Sequence, residues 1–161
     1  MPLLKLKRQK GKENDELQEL LKRAKPLPNI FKPDWLDELD DALVGWVALN
    51  AEKWKPRRNP AAIEGRPLPK SIEIDGAPYA GLIIMDDGRV FLADNITYDI
   101  MALADGTRTL NEILAKIAVD IARVDEVIRR ALEENDEKEL LGLYSGFYVA
   151  AAMLKGRGLL I

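Results

Sequence analysis

An α+β fold is predicted for this 161-residue chain, and three observations predict it. Short alternating or apolar runs separated by Gly-containing turns fill residues 71–92, as in an antiparallel meander of three strands. Capped amphipathic segments then follow one another to the end of the sequence, giving three or four helices. Ahead of both, residues 1–69 hold a basic stretch and two helical patterns joined by proline-rich connectors. The expected organisation is a basic arm and helical extension over residues 1–69, followed by a second domain over residues 70–161.

Taken in order, Lys5, Lys7, Arg8, Lys10 and Lys12 form a basic run without a clean period, expected as a mobile arm. Residues 13–24 place Leu17, Leu20 and Leu21 on one side of a short helix that Lys25-Pro26 ends. Pro26, Pro28 and Pro33 make an extended connector. Asp34 is the expected N-cap of the next helix, with Asp37 and Glu38 in its first turn, where the helix dipole favours negative charge. That helix is expected to run to about Lys55, with Leu36, Leu39, Leu43, Val47 and Trp54 near one face. Trp35, Trp46 and Trp54 are expected as buried anchors, and the neighbouring carboxylates as a solvated face. Pro56, Pro60, Pro67 and Pro69, with Gly65, suggest a second linker and a boundary near residue 69.

Ser71-Ile72-Glu73-Ile74-Asp75 then alternates as a half-buried strand does. Gly76-Ala77-Pro78 is a turn, Tyr79 to Met85 is apolar and β-prone, and Asp86-Asp87-Gly88 is a second turn before Arg89-Val90-Phe91-Leu92. Asp94 or Asn95 caps a helix bearing Ile96, Ile100 and Leu103, which Gly106 closes. Thr109-Leu110-Asn111-Glu112 is a capping box opening a helix with Ile113, Leu114 and Ile117. Residues 121–134 either extend that helix or form another. A last helix spans about Glu137 to Lys155, with Gly142, Gly146 and Ala150 as a small stripe that lets a neighbouring helix approach closely. An apolar tail, Leu159-Leu160-Ile161, follows it.

The composition sets limits on chemistry. The chain has no Cys and no His. It therefore lacks the thiolate nucleophile, the usual base at neutral pH, and the ligands that zinc, copper and iron prefer. No Gly-rich phosphate loop and no calcium-loop pattern occurs. The expectation is a protein that is not an enzyme, with no catalytic residues, no metal and no cofactor. A net charge of −3 argues against a nucleic-acid partner. No apolar run reaches the ~20 residues that span a bilayer, and no apolar segment follows the basic start as in a secretory signal. A cytoplasmic location is the expectation.

The segment from Arg89 to Ala118 carries a resemblance. Val90-Phe91-Leu92 precedes a helix with Ile100-Met101-Ala102-Leu103. Asp105-Gly106-Thr107-Arg108-Thr109, Glu112-Ile113 and the terminal Gly158-Leu159-Leu160 follow. In this order the pieces resemble the PqqD-like family, the winged-helix domains known as RiPP recognition elements, over about residues 71–161. The spacing from Leu92 to Ile100 is about one residue longer than the family pattern. Residues 121–135 look like an inserted helix, and the first 69 residues have no counterpart.

The resemblance implies a winged-helix-like, non-catalytic, peptide-binding adaptor. Such domains hold the leader segment of a precursor peptide and present it to a modifying enzyme, often a radical S-adenosylmethionine enzyme. With the meander's third strand at a sheet edge, a peptide adds there as a further strand. The expected peptide-binding residues are Arg89, Val90, Phe91 and Leu92 on that strand, and Leu141, Tyr144 and Tyr148 on the last helix as the opposite wall. Tyr144, Phe147 and Tyr148 at helical spacing more often form a core face with a hydroxyl reaching solvent. Two alternatives stay open: a winged-helix DNA-binding regulator reading through residues 110–120, and a structural subunit of a larger enzyme complex. A homodimer is also left open.

Overall fold

Tight turns with left-handed backbone lay out the sheet. Asp75 and Gly76 (φ 52° and 80°) reverse the chain after one strand, and Gly88 (φ 90°) reverses it after the next. The structure, a computed structural model, describes residues 15–161, so the basic run over residues 1–12 lies outside the described residues. Strands β2 (Ala62–Ile74), β3 (Ala77–Met85) and β4 (Val90–Ala93) form the expected antiparallel meander. A two-residue strand, β1 (Lys25–Pro26), adds to β4 in parallel, so the sheet is mixed, with order β1-β4-β3-β2.

Helices cover both faces of this sheet. Residues 15–23 form helix α1, and its Leu17, Leu20 and Leu21 pack on Leu82, Val90 and Leu92. The main core lies on the other face, where Ile83, Met85 and Ala93 meet helices α3 (Asn95–Leu103), α4 (Leu110–Ala122) and α6 (Glu137–Gly156). Ile100, Leu110, Ile113, Leu114, Phe147 and Leu154 are completely buried there. Each such side chain gains about 1.5–3 kcal/mol from leaving water. Tyr98 of α3 lies so close to β3 that only a glycine fits beneath it. A Cβ on Gly81 would stand 2.6 Å from the Tyr98 Cγ.

The chain is α+β as predicted, and several local expectations are corrected. The helix expected from Asp34 to Lys55 is two elements. Pro33–Glu38 forms a 3-10 turn, Leu39 is extended, and α2 (Asp41–Asn50) starts afresh with Asp40 as its N-cap. Pro33 favours the tight first turn, and the Asp40 carboxylate accepts the N–H of Ala42, so the cap six residues on starts the longer helix. The stretch expected as a linker around Pro67 and Pro69 is strand, and β2 runs through residue 69. Leu27, Val47 and Ala51 belong to the same core as α3, α4 and α6, so the expected boundary falls inside one packed unit. Residues 126–134 form a separate helix, α5 (Glu126–Glu134), as one of the two alternatives held.

Helix α2 lies against α6. A Leu43 methyl reaches within 3.1 Å of where a Gly156 Cβ would stand, and the Lys155 ammonium sits 4.7 and 5.0 Å from the Trp46 and Trp54 rings. Trp46 remains 40% exposed and Trp35 and Trp54 are half-buried, so the tryptophans are not the fully buried anchors expected. The C-terminal tail is held by the chain before β2. Arg57 and Ile161 exchange backbone hydrogen bonds, and Asn59 donates to the Leu159 carbonyl. Among the described residues no helix is long and apolar enough to cross a membrane.

Candidate functional site

Strand β4 carries three of the seven residues expected to touch a peptide, Val90, Phe91 and Leu92, with Arg89 in the turn just before it, and its outer margin is not open. Lys25 pairs with Phe91 and Pro26 with Leu92, and the Leu27 N–H donates to the Leu92 carbonyl at 2.8 Å. The expected free edge is therefore corrected: the chain's own segment fills it. Pro26 lacks an N–H, which suits the outermost strand of a sheet, where no donor is required on the outer side.

The same segment continues beside α6, pinned at each step. Leu27 is 1% exposed, and its carbonyl accepts the Tyr79 hydroxyl at 3.1 Å. Asn29, also buried, donates from Nδ2 to the Pro78 carbonyl at 2.6 Å and accepts the Phe31 N–H at 2.8 Å. Its own carbonyl accepts the Trp35 indole N–H. The Ile30 N–H donates to Asp94 Oδ2 at 2.9 Å, and the Ile30 side chain reaches 3.3 Å from where a Cβ on Gly146 would stand. Gly146 on α6 does admit a neighbour, but that neighbour is Ile30 in a turn rather than a helix.

Asp94 joins this segment to α3. It is the N-cap of that helix, accepting from the Thr97 N–H and hydroxyl as well as from Ile30. Burial pushes its carboxyl above the ordinary value of 3.8, while the Ile30 and Thr97 N–H bonds pull it back. The sequence marked Asp94 as a cap, and nothing in the local pattern announced its second bond to a residue 64 positions earlier.

The expected contact residues divide into separate groups. Val90 and Leu92 are buried against α1 and present nothing to a ligand. Phe91 is half-buried against the main core, and the Arg89 guanidinium lies 5.8 Å from its ring centre while Nε donates to Asp87 at 2.7 Å. On α6, Leu141 is 69% exposed. Tyr144 stands edge-on to Phe147 with ring centres 5.4 Å apart, and the Tyr148 hydroxyl donates to Asn111 of α4 at 3.2 Å. Those two tyrosines pack on the core, the duller of the two roles their spacing allowed.

A groove of about 480 Å³ remains beside β1 and β4. Its lining includes Arg89, Val90 and Phe91 but none of Leu141, Tyr144 and Tyr148. It also includes Arg23, Lys25 and Arg157, which the sequence pattern had not singled out, because three separate elements bring them together. No family model matches the chain, and neither the curated proteins nor the solved structures yield a match.

Proposed function

We propose that this chain is a non-catalytic, winged-helix-like adaptor that holds an extended precursor peptide for a modifying enzyme such as a radical S-adenosylmethionine enzyme. In this proposal residues Lys25–Ile30 keep the peptide's place on β4 until it arrives. The carrying observation is that β4 takes up an extended segment by strand addition, with Leu27 as an apolar anchor and Asn29 caught by buried polar groups. Main-chain pairing plus side-chain pockets is how a sheet edge recognises a peptide. A place-holder in cis lowers apparent affinity by the fraction of time it is bound, which makes binding conditional rather than absent.

The same hydrogen bonds favour one alternative. Polar contacts to Leu92, Tyr79, Pro78 and Asp94 hold residues 27–30, as a permanent part of a structural subunit would be held. A DNA-binding role draws less support, because the exposed side of α4 sets Lys116 and Arg123 against Glu112 and Asp120. That face offers no net charge to a phosphate backbone.

One experiment separates the first two. A protease site placed between Lys32 and Asp34 is cut in the folded protein, and a labelled synthetic peptide spanning residues 15–31 is added. Exchange of the cleaved fragment for the labelled peptide, with the circular dichroism unchanged, is expected of an adaptor. A fragment that leaves only when the rest unfolds makes the segment structural and withdraws the adaptor role.

A further inference from the structure

The groove beside β1 differs in charge from every other cleft described in the protein. Arg23, Lys25, Arg89 and Arg157 line it, and no carboxylate does. The cleft beneath Tyr98 contains Glu64, the one between α1 and β2 shares Arg23 but contains Asp15, Glu16 and Glu19, and the one beside α2 shares Arg157 but contains Glu38 and Asp40. The small cleft at Pro60 contains Asp105. In a chain with more acidic than basic residues, four cations around one opening are a local reversal of sign. Among the described residues, Arg23, Lys25 and Arg157 have no carboxylate within salt-bridge distance, and Arg89 has only the exposed Asp87.

The vertical arrangement is equally specific. All four cations are exposed at the rim, whereas Met85 and Leu159 are buried beneath and Phe91 is half-buried beside them. An extended peptide sends alternate side chains to opposite faces. A segment alternating acidic and apolar residues would set the apolar ones on this floor and the acidic ones toward the rim. A phosphate backbone has no apolar side chain to offer the floor. The basic run over residues 1–12 has the wrong sign to fill the groove.

The geometry points to a docking groove for an acidic peptide segment with apolar anchor residues, reached with β1 in place. This rests on the adaptor role only in that both take an extended peptide: exchange at β4 displaces Lys25–Ile30, whereas this groove binds while that segment stays in place. Charge complementarity of this kind raises the association rate and makes binding salt-sensitive.

The test is fluorescence anisotropy with the full chain and a labelled octapeptide of alternating Glu and Leu. The controls are the same peptide with Lys for Glu and a labelled single-stranded DNA of equal length. The acidic peptide is expected to bind, to weaken with added salt, and to lose about tenfold in affinity in the Arg89→Ala/Arg157→Ala double variant. Thermal unfolding is the control for folding, and the double variant is expected to leave it unchanged. Absence of binding by the acidic peptide, or binding that the double variant leaves unchanged, overturns the proposal. DNA binding equal to or tighter than the peptide's overturns it in favour of a nucleic-acid surface. Fragment exchange at β4 can succeed while this groove fails, so loss of the docking groove and loss of the adaptor role are told apart.

Discussion

Leu27 and Leu92 are joined backbone to backbone at 2.8 Å, and both side chains are buried, Leu27 in the main core and Leu92 beneath α1. The contact turns β4 from an edge strand into an interior one. A proline at Phe91 or Leu92, which would have weakened peptide pairing at a free edge, now breaks a ladder between two neighbours. Both variants are expected to unfold the protein rather than to report on binding.

Leu27→Ala separates anchoring from pairing. Removing a fully buried leucine side chain costs about 2–5 kcal/mol, depending on how far the site collapses. Urea unfolding of the variant should show that loss. Native-state amide exchange supplies the sharper readout, since a displaceable segment opens below the global unfolding free energy. The Leu27 amide is expected to exchange faster in the variant than the Leu114 amide of α4. Equal acceleration of both would mean that the segment and the core open together.

Gly81 and Tyr98 should be strongly coupled. A Cβ at Gly81 would overlap the Tyr98 ring, and the approach to Gly65 is also close, with the Tyr98 hydroxyl 3.2 Å from a Cβ there. Gly81→Ala is expected to cost about 1–3 kcal/mol through overpacking of β3 against α3. In a Tyr98→Ala background the same change should cost much less. A double-mutant cycle measures the difference, and additive effects would mean that the sheet and α3 are not held apart by this ring.

The fold was legible where chemistry is local. Thr109 and Glu112 form the reciprocal capping box that their spacing announced. Gly76 and Gly88 make the turns of the meander, and Asp136 caps the long final helix. Legibility failed where a partner distant in sequence decides the structure. Pro67 and Pro69 punctuate a strand because β2 is an outer strand of the described sheet, where missing donors cost little. Lys25-Pro26 has no strand period at all and is a strand only because β4 is beside it. The rim of the basic groove comes from α1, β1, the turn before β4 and the end of α6, four elements that no sequence window spans.

Asp94 gives the protein a pH dependence of defined sign. Its raised folded-state pKa means that the native state binds more protons than the unfolded state just above the ordinary value of 3.8. Stability contributed by this group is therefore present at low pH and lost as pH rises from about 3.8 through the folded value. Asp94→Asn removes the titration while keeping one acceptor for the α3 cap. The stability of the native protein minus that of Asp94→Asn is expected to fall with rising pH in this range. A difference that rises with pH would mean that the N–H bonds from Ile30 and Thr97 outweigh the cost of burying the charge.

Asn29 offers the most discriminating substitution in the segment. Its Nδ2 donates to the Pro78 carbonyl and its Oδ1 accepts the Phe31 N–H, so donor and acceptor are both engaged in a buried site. Asn29→Ala leaves the Pro78 carbonyl without this donor, a loss of about 1–3 kcal/mol for a buried polar group. Asn29→Asp is nearly isosteric yet is expected to be worse. It retains the acceptor but turns a second carboxylate oxygen toward the Pro78 carbonyl, where two acceptors repel, and it buries a charge. Thermal unfolding at neutral pH should rank native above Ala above Asp. Lowering the pH should bring Asp back toward native, because the protonated carboxyl regains a donor. An Asp variant as stable as the native protein at neutral pH would mean that residues 27–30 leave this site without difficulty, which is the behaviour of a displaceable place-holder.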